Sequence, residues 1–150
     1  MDYLTTAVVT DTATLVLFDP ACMRHRLADT ADWWSIAEDE LAEVNLGNAA
    51  FFNVPGDGRY GLALVDAATL GAPAVSVNLR NLSGRFFLGE GEMMSADGLE
   101  PEAVHGNVFF EAAPGAYRVH ARLEAQTLLL ALEPVAQATG NAFTDLVRLA

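Results

Sequence analysis

The sequence contains no lysine: its eight basic residues are all arginine, set against twenty acidic ones, for a formal net charge of -12 over 150 residues. A chain this acidic lacks the basic stripe that phosphate-backbone binding requires, which excludes nucleic acid as a partner. The same charge excludes an anionic membrane surface. A single cysteine, Cys22, rules out an internal disulfide and fits a reducing, cytoplasmic compartment. Long hydrophobic runs are missing too: stretches such as 128–132 fall far short of the roughly 20 residues that a membrane helix needs. The opening MDYLTTAVVTD has no basic region of the kind that begins a signal peptide.

Motifs for catalysis and metal binding are equally sparse. His25, His105 and His120 stand apart, and Cys22 with His25 is at most half of a zinc site with no second half. There is no G-x-S-x-G elbow, no glycine-rich phosphate loop and no calcium-loop ladder. No metal and no cofactor are expected.

What the chain does have is globular composition, with 52% hydrophobic residues and enough length for one core, so residues 1–150 are read as a single domain. Short apolar or alternating stretches recur between turn signals. The run at 13–18 (ATLVLF plus its lead) ends at Asp19-Pro20, and 49–54 and 59–65 flank a Pro-Gly-Asp-Gly turn as a hairpin. Val75, Val77 and Leu79 alternate with polar neighbours across 74–82, and Ser83-Gly84 leads into 85–90. Residues 91–106 read as a long loop. The stretches 107–112 and 116–123 read as a second hairpin, with Tyr117, Val119, Ala121 and Leu123 on one face. Residues 127–133 are apolar almost throughout, as in a central strand covered on both sides. Residues 143–149 read as a short helix or a last strand. About eight strands with one early helix imply a mostly β protein, an antiparallel β-sandwich with one short inserted helix.

That helix lies in TADWWSIAEDELAEVNLGN, Thr30 to Asn48, where two tryptophans sit beside five carboxylates and no base. Ser35 and Glu38 have the spacing of a capping box, and Gly47 is the expected stop. Asp39 and Glu43, four apart, form a like-charge pair that costs a few tenths of a kcal/mol, about 0.2–0.5, on an exposed helix. Its persistence suggests that Asp39, Glu40 and Glu43 form a wet, partner-facing surface beside Trp33 and Trp34. Either both rings pack into the core, or one anchors the helix and the other is partly exposed as a contact. Gly89-Glu90-Gly91-Glu92 adds two carboxylates that point the same way if the segment is extended. Glu90 and Glu92 complete the expected partner-binding set.

The segment FFEAAPGAYRVHARLE, Phe109 to Glu124, resembles one found in the DNA-entry nuclease inhibitor (competence protein J) family, and the overall character resembles small bacterial immunity-type proteins. The resemblance is confined to that segment, and the Trp-Trp helix stands outside it. It implies a small, acidic, cytoplasmic, sheet-rich protein that acts by binding a nuclease, and it assigns no binding residues. The expected function is therefore a non-enzymatic acidic protein that neutralises a basic protein partner, a toxin or nuclease. The alternatives are a small-ligand or carbohydrate-binding sandwich that stacks its ligand on Trp33 or Trp34, and an enzyme working through Glu90, Glu92 or His120. Charge of this sign also serves solubility alone, and the sequence leaves the oligomeric state open.

Overall fold

A computed structural model describes residues 2–26, 33–95, 101 and 103–150. Asp32 and much of the 91–106 loop lie outside the described residues.

The strands are β1 (Asp2–Thr10), β2 (Thr14–Phe18), β3 (Ala49–Asn53), β4 (Gly58–Val65), β5 (Val75–Asn81), β6 (Arg85–Glu90), β7 (Val108–Glu111), β8 (Gly115–Glu124) and β9 (Thr127–Val135). Two α-helices join them, α1 (Ala37–Leu46) and α2 (Ala67–Leu70), with 3-10 turns at Pro20–Arg26, Trp33–Ser35 and Gly91–Ser95. Sheet A has the order β1-β4-β9-β8-β5 and sheet B the order β3-β2-β6-β7. The two sheets form a mostly β sandwich, as expected.

The connections differ from the expected hairpins. The turn at 54–58 takes the chain from sheet B to sheet A, because β3 pairs with β2 while β4 pairs with β1 and β9. Ala112 to Gly115 does the same, since β7 pairs with β6 and β8 with β5 and β9. Pro-Gly chemistry reverses the chain; which sheet receives the next strand is decided by the packing of its apolar face. One pairing is parallel, β4 with β9 from Gly61↔Thr127 to Leu64↔Leu130, so the sandwich is not antiparallel throughout.

Sheet A alternates as a sheet with one dry face should. Tyr60, Leu62, Val77, Leu79, Val119, Ala121, Leu128 and Leu130 are buried inward. Leu123 joins that face only partly buried. On the other side, Ala63, Val65, Leu70 and Ala131 form a small second cluster under α2. The central strand β9 is therefore covered on both faces over this part of its length.

Sheet B does not alternate. Every residue of β2 is buried, as are Ala49 to Phe52 and Phe86 to Gly89. Phe86 meets Tyr117 of sheet A edge-on at 5.6 Å, which marks the inner face. Phe51 meets Trp33 at 6.3 Å, which marks the outer one. Residues 19–26 and 33–48 thus close over the outer face of sheet B. The Ser35–Glu38 capping box does not form. Ser35 belongs to a preceding 3-10 turn in which the Ile36 N–H donates to the Trp33 carbonyl, and Ile36 takes the N-cap position with no side-chain cap. The stop at Gly47 is as expected: its φ is +78°, and the Gly47 and Asn48 N–H groups close back on Val44 and Glu43.

The tail 136–150 straps this cover down. Asn141 bonds the Val44 carbonyl on α1 and both backbone groups of Asn78 on β5, and Asn53 exchanges backbone bonds with Val147 and Leu149. The only regular pairing in the tail is an isolated bridge, Asn53↔Arg148.

Phe51→Ala should cost about 3–5 kcal/mol by urea denaturation, because the ring is fully buried between its sheet and Trp33. Val9→Ala, at a position 53% exposed, should change stability by less than about 0.5 kcal/mol. Equal losses at the two sites would contradict this layering.

Candidate functional site

The expected partner-binding residues fall into two groups with different surroundings. Trp33 and Trp34 are 2% and 5% exposed, Glu40 is 3% and Glu43 is 2%, so these four do not form a wet face. The helix turns its Glu40–Glu43 side toward sheet B, and the sheet's apolar outer surface draws both rings inward. Only Asp39 of the helical set stays half-exposed.

Glu43 sits at the centre of a polar network. Its carboxylate accepts from Asn48 Nδ2 at 2.9 Å and from Arg26 Nε at 3.0 Å, and lies 2.7 Å from His25 Nε2. Arg26 stacks on Trp33 at 4.5 Å and reaches Asp39 at 3.5 Å. Arg80 donates to Asn48 Oδ1 at 2.7 Å, which ties the network to sheet A. Burial pushes the Glu43 carboxyl up, but the bonds from Asn48, His25 and Arg26 outweigh it and hold the group below its ordinary range. The like-charge pair of Asp39 and Glu43 is thus relieved by Arg26, a residue distant in sequence.

Glu40 is placed differently. Its one strong partner is Asn53 Nδ2 at 2.9 Å. Burial raises its pKa, with Asn53 and the more distant Arg148 only partly opposing.

The second group lies where β1 turns into β2 and β6 ends. Glu92 does not extend the strand; it caps the β1–β2 turn, accepting from Thr10 Oγ1 at 2.8 Å, Thr12 Oγ1 at 2.6 Å and the Asp11 N–H at 2.8 Å. Burial first and the Glu92 carboxylate second raise the Glu90 pKa; Asn107 and His105 oppose, and Asp11 adds to the rise. Glu90 thus lies in the field of both Glu92 and Asp11. Gly89 and Gly91 are needed for close approach: a Cβ on Gly89 would strike the Asn107 side chain, and one on Gly91 would meet Thr14 at 2.8 Å.

The other reactive side chains have structural settings. Burial, then the charge of Asp19, pushes the Cys22 thiol up to about 11, so it is not a thiolate at neutral pH. Among the described residues no three His, Cys, Asp or Glu side chains gather as a metal site. Sequence reasoning missed Asp19, which is fully buried and accepts from the N–H groups of Ala21, Leu82 and Ser83 and from the Ser83 hydroxyl. It also missed a row on the outer face of sheet A, where Ser76 Oγ lies 2.7 Å from His120 Nδ1 and His120 Nε2 lies 2.9 Å from Glu133. The alternating pattern of β5 and β8 placed Ser76 and His120 outward, but only the strand pairing brings them opposite each other.

The two buried acids should respond oppositely to neutralisation. Glu43→Gln should lose about 2–3 kcal/mol at pH 7, less than a fully buried pair because His25 is half-exposed. A depressed carboxyl stabilises the fold above its unfolded pKa and ceases to do so as pH falls through its folded pKa, so the deficit of the variant should shrink with acidification. Glu40→Gln should be neutral or stabilising at pH 7, because a raised carboxyl opposes folding while ionised. Urea melts at pH 7 and pH 4 check both signs.

No curated protein matches the chain. Among solved structures, it is similar to a protein titled "Crocagin biosynthetic gene J", with a TM-score of 0.57, 15% identity, and coverage of 89% of this chain and 98% of that one. It is also similar to ComJ from Bacillus subtilis, described as the inhibitor of the DNA-degrading activity of NucA, with a TM-score of 0.54, 13% identity, and coverage of 90% and 98%. The resemblance read from 109–124 is thus met by a likeness of fold over most of the chain. A family model described as a family of unknown function (DUF6386) matches residues 2–149, and the chain belongs to that family.

Proposed function

We propose that this protein is a cytoplasmic, non-enzymatic inhibitor that binds and neutralises a basic protein partner of the nuclease or toxin kind. The observation that carries the reading is the acidic group of Asp11, Glu90 and Glu92, in which Glu92 binds the Asp11 N–H and both neighbours' charges raise the Glu90 carboxyl, on a scaffold like that of ComJ, a nuclease inhibitor. Repelling carboxylates held together in one protein gain most from a cationic group brought to them, and the overall charge of -12 steers such a group in. Asp39 and Glu38, on the open side of the first turn of α1, extend the acidic surface. Trp33, Trp34, Glu40 and Glu43 support this surface from beneath and are not contacts in this reading.

The direct test mixes the purified protein with the nuclease-type or toxin-type protein whose gene lies beside its own and measures DNA cleavage or toxicity. Stoichiometric loss of activity is expected, and full activity at excess inhibitor would sink the proposal. Asp11→Lys with Glu90→Lys should slow association with that partner by about tenfold or more at low salt and flatten its salt dependence, because long-range attraction mainly sets the on-rate. Surface plasmon resonance at two ionic strengths reads this out, and an unchanged salt slope would place the contact elsewhere.

A further inference from the structure

The parallel ladder of sheet A stops before its strands do. β4 pairs with β9 only as far as Leu64↔Leu130, whereas β9 continues to Val135 and remains paired with β8 to Ala116↔Val135. Beyond Val65 the chain leaves the sheet plane and crosses over β9 and β8 as α2 on its way to β5. The position beside residues 131–135 of β9, where β4 would run if it went on, is occupied by no described strand.

A cavity of about 740 Å³ lies there, a size typical of ligand sites. Leu4, Phe110 and Leu132 are among its apolar lining residues, and Asp66, Glu111, His120 and Glu133 among its polar ones, with no arginine. Glu111 is exposed and has no ion pair among the described residues.

The backbone of β9 is oriented to use this space. The Gly61 N–H donates to the Gln126 carbonyl at 2.7 Å, so the even-numbered residues of β9 present their backbone groups toward β4 and the odd-numbered ones toward β8. The Leu132 N–H and carbonyl and the Pro134 carbonyl therefore face the vacant position. Pro134 has no N–H to leave there, which is where sheets place an edge proline.

We propose that this vacancy receives an extended segment of the partner protein, added as a strand beside β9 with apolar and basic residues in alternation. The alternation follows from the pleat. Inward side chains of such a strand would meet Leu4, Phe110 and Leu132, while outward ones would lie beside Glu133, which His120 already contacts at 2.9 Å, with Glu111 also in the lining. A purely apolar ligand would fill the cavity yet leave the β9 edge without hydrogen-bond partners; a strand satisfies both. The inference rests on the reading of the protein as a binder of a basic partner, and it adds a second contact at the end of the strands opposite to Asp11, Glu90 and Glu92.

The probe is a capped peptide of about seven residues alternating lysine and valine, an ordinary strand length. Binding is followed by fluorescence anisotropy, and the site by hydrogen exchange at the Leu132 amide. The peptide should bind and slow exchange at Leu132. Replacing its lysines by glutamates, or methylating the amides that face β9, should each weaken binding by about tenfold or more, the worth of one or two backbone bonds or an ion pair. Leu4→Trp, which fills the cavity, should abolish binding, and Glu111→Lys, an exposed change that leaves folding intact, should weaken it. Equal binding of the methylated peptide, or no change in exchange at Leu132, would overturn strand addition. Inhibition of a nuclease-type partner that persists in Leu4→Trp would also overturn this site while leaving the inhibitor reading standing. Peptide binding with the expected variant pattern, in a protein that inhibits no nuclease, would uphold the site and remove that reading instead.

Discussion

A four-stranded sheet that is dry on both faces governs much of this structure. One sandwich interface buries only one face of sheet B. The other face carries Phe18, Phe51 and Phe87 and requires a second layer. Residues 19–26 and 33–48 supply it, with Met23, Trp33, Trp34 and Val44 all in the same core cluster as the sheets. Fully burying a side chain of this size is worth about 1.5–3 kcal/mol, so the layer is held mainly by its apolar contacts. Its polar groups then have to be accommodated where those contacts put them.

The buried acids follow from this. Glu40 and Glu43 are one helical turn apart, so a helix that lays Val44 on the sheet also carries that flank inward. Glu43 is compensated by a network that reaches His25 and Arg26 from one side and Asn48 and Arg80 from the other. Such a network gives little net stability relative to an apolar replacement, but it punishes any shift that separates its members. It therefore fixes the seating of the cover on the sandwich. Asp19 acts likewise at the neighbouring corner, binding the start of the cover to the β5–β6 turn through Leu82 and Ser83.

The strands were legible in the sequence; their partners were not. Turn residues and apolar stretches located β2 to β9 to within a residue or two, because those signals are local. Strand β1 escaped notice because its threonines break the apolar pattern, and its place at the edge of sheet A asks little burial of Thr5 or Val9. Whether a turn makes a hairpin or a crossing between sheets depends on which surface the next strand must cover, and that is not a local property. The setting of the tryptophans was legible in part. Unbroken apolar runs such as TLVLF and AAFF mark strands buried on both faces, so a covering layer rich in large rings was implied. Of the two settings open to Trp33 and Trp34, that layer takes the buried one for both rings. Glu40 and Glu43 were expected on a wet face and are buried, since Arg26 pairs with Glu43 only after the chain has folded back.

The absence of lysine gains a meaning from the fold. Arg26 lies between Trp33 and Glu43, Arg80 holds Asn48, Arg85 stacks on Phe109 at 4.1 Å, and Arg122 donates to the Leu70 carbonyl beneath α2. Each role asks for a flat cation with several fixed donors, which an ammonium group does not provide. These four cations are spent on joining elements to one another. They lie against carbonyls, rings and buried carboxylates, while Glu38, Asp57, Glu111, Glu124, Glu133 and Asp145 are exposed. Arg24, Arg59, Arg118 and Arg148 remain exposed, so the outer surface carries both signs with the acids in excess. A cationic partner approaching from solvent is attracted by that excess rather than by an unbroken negative face.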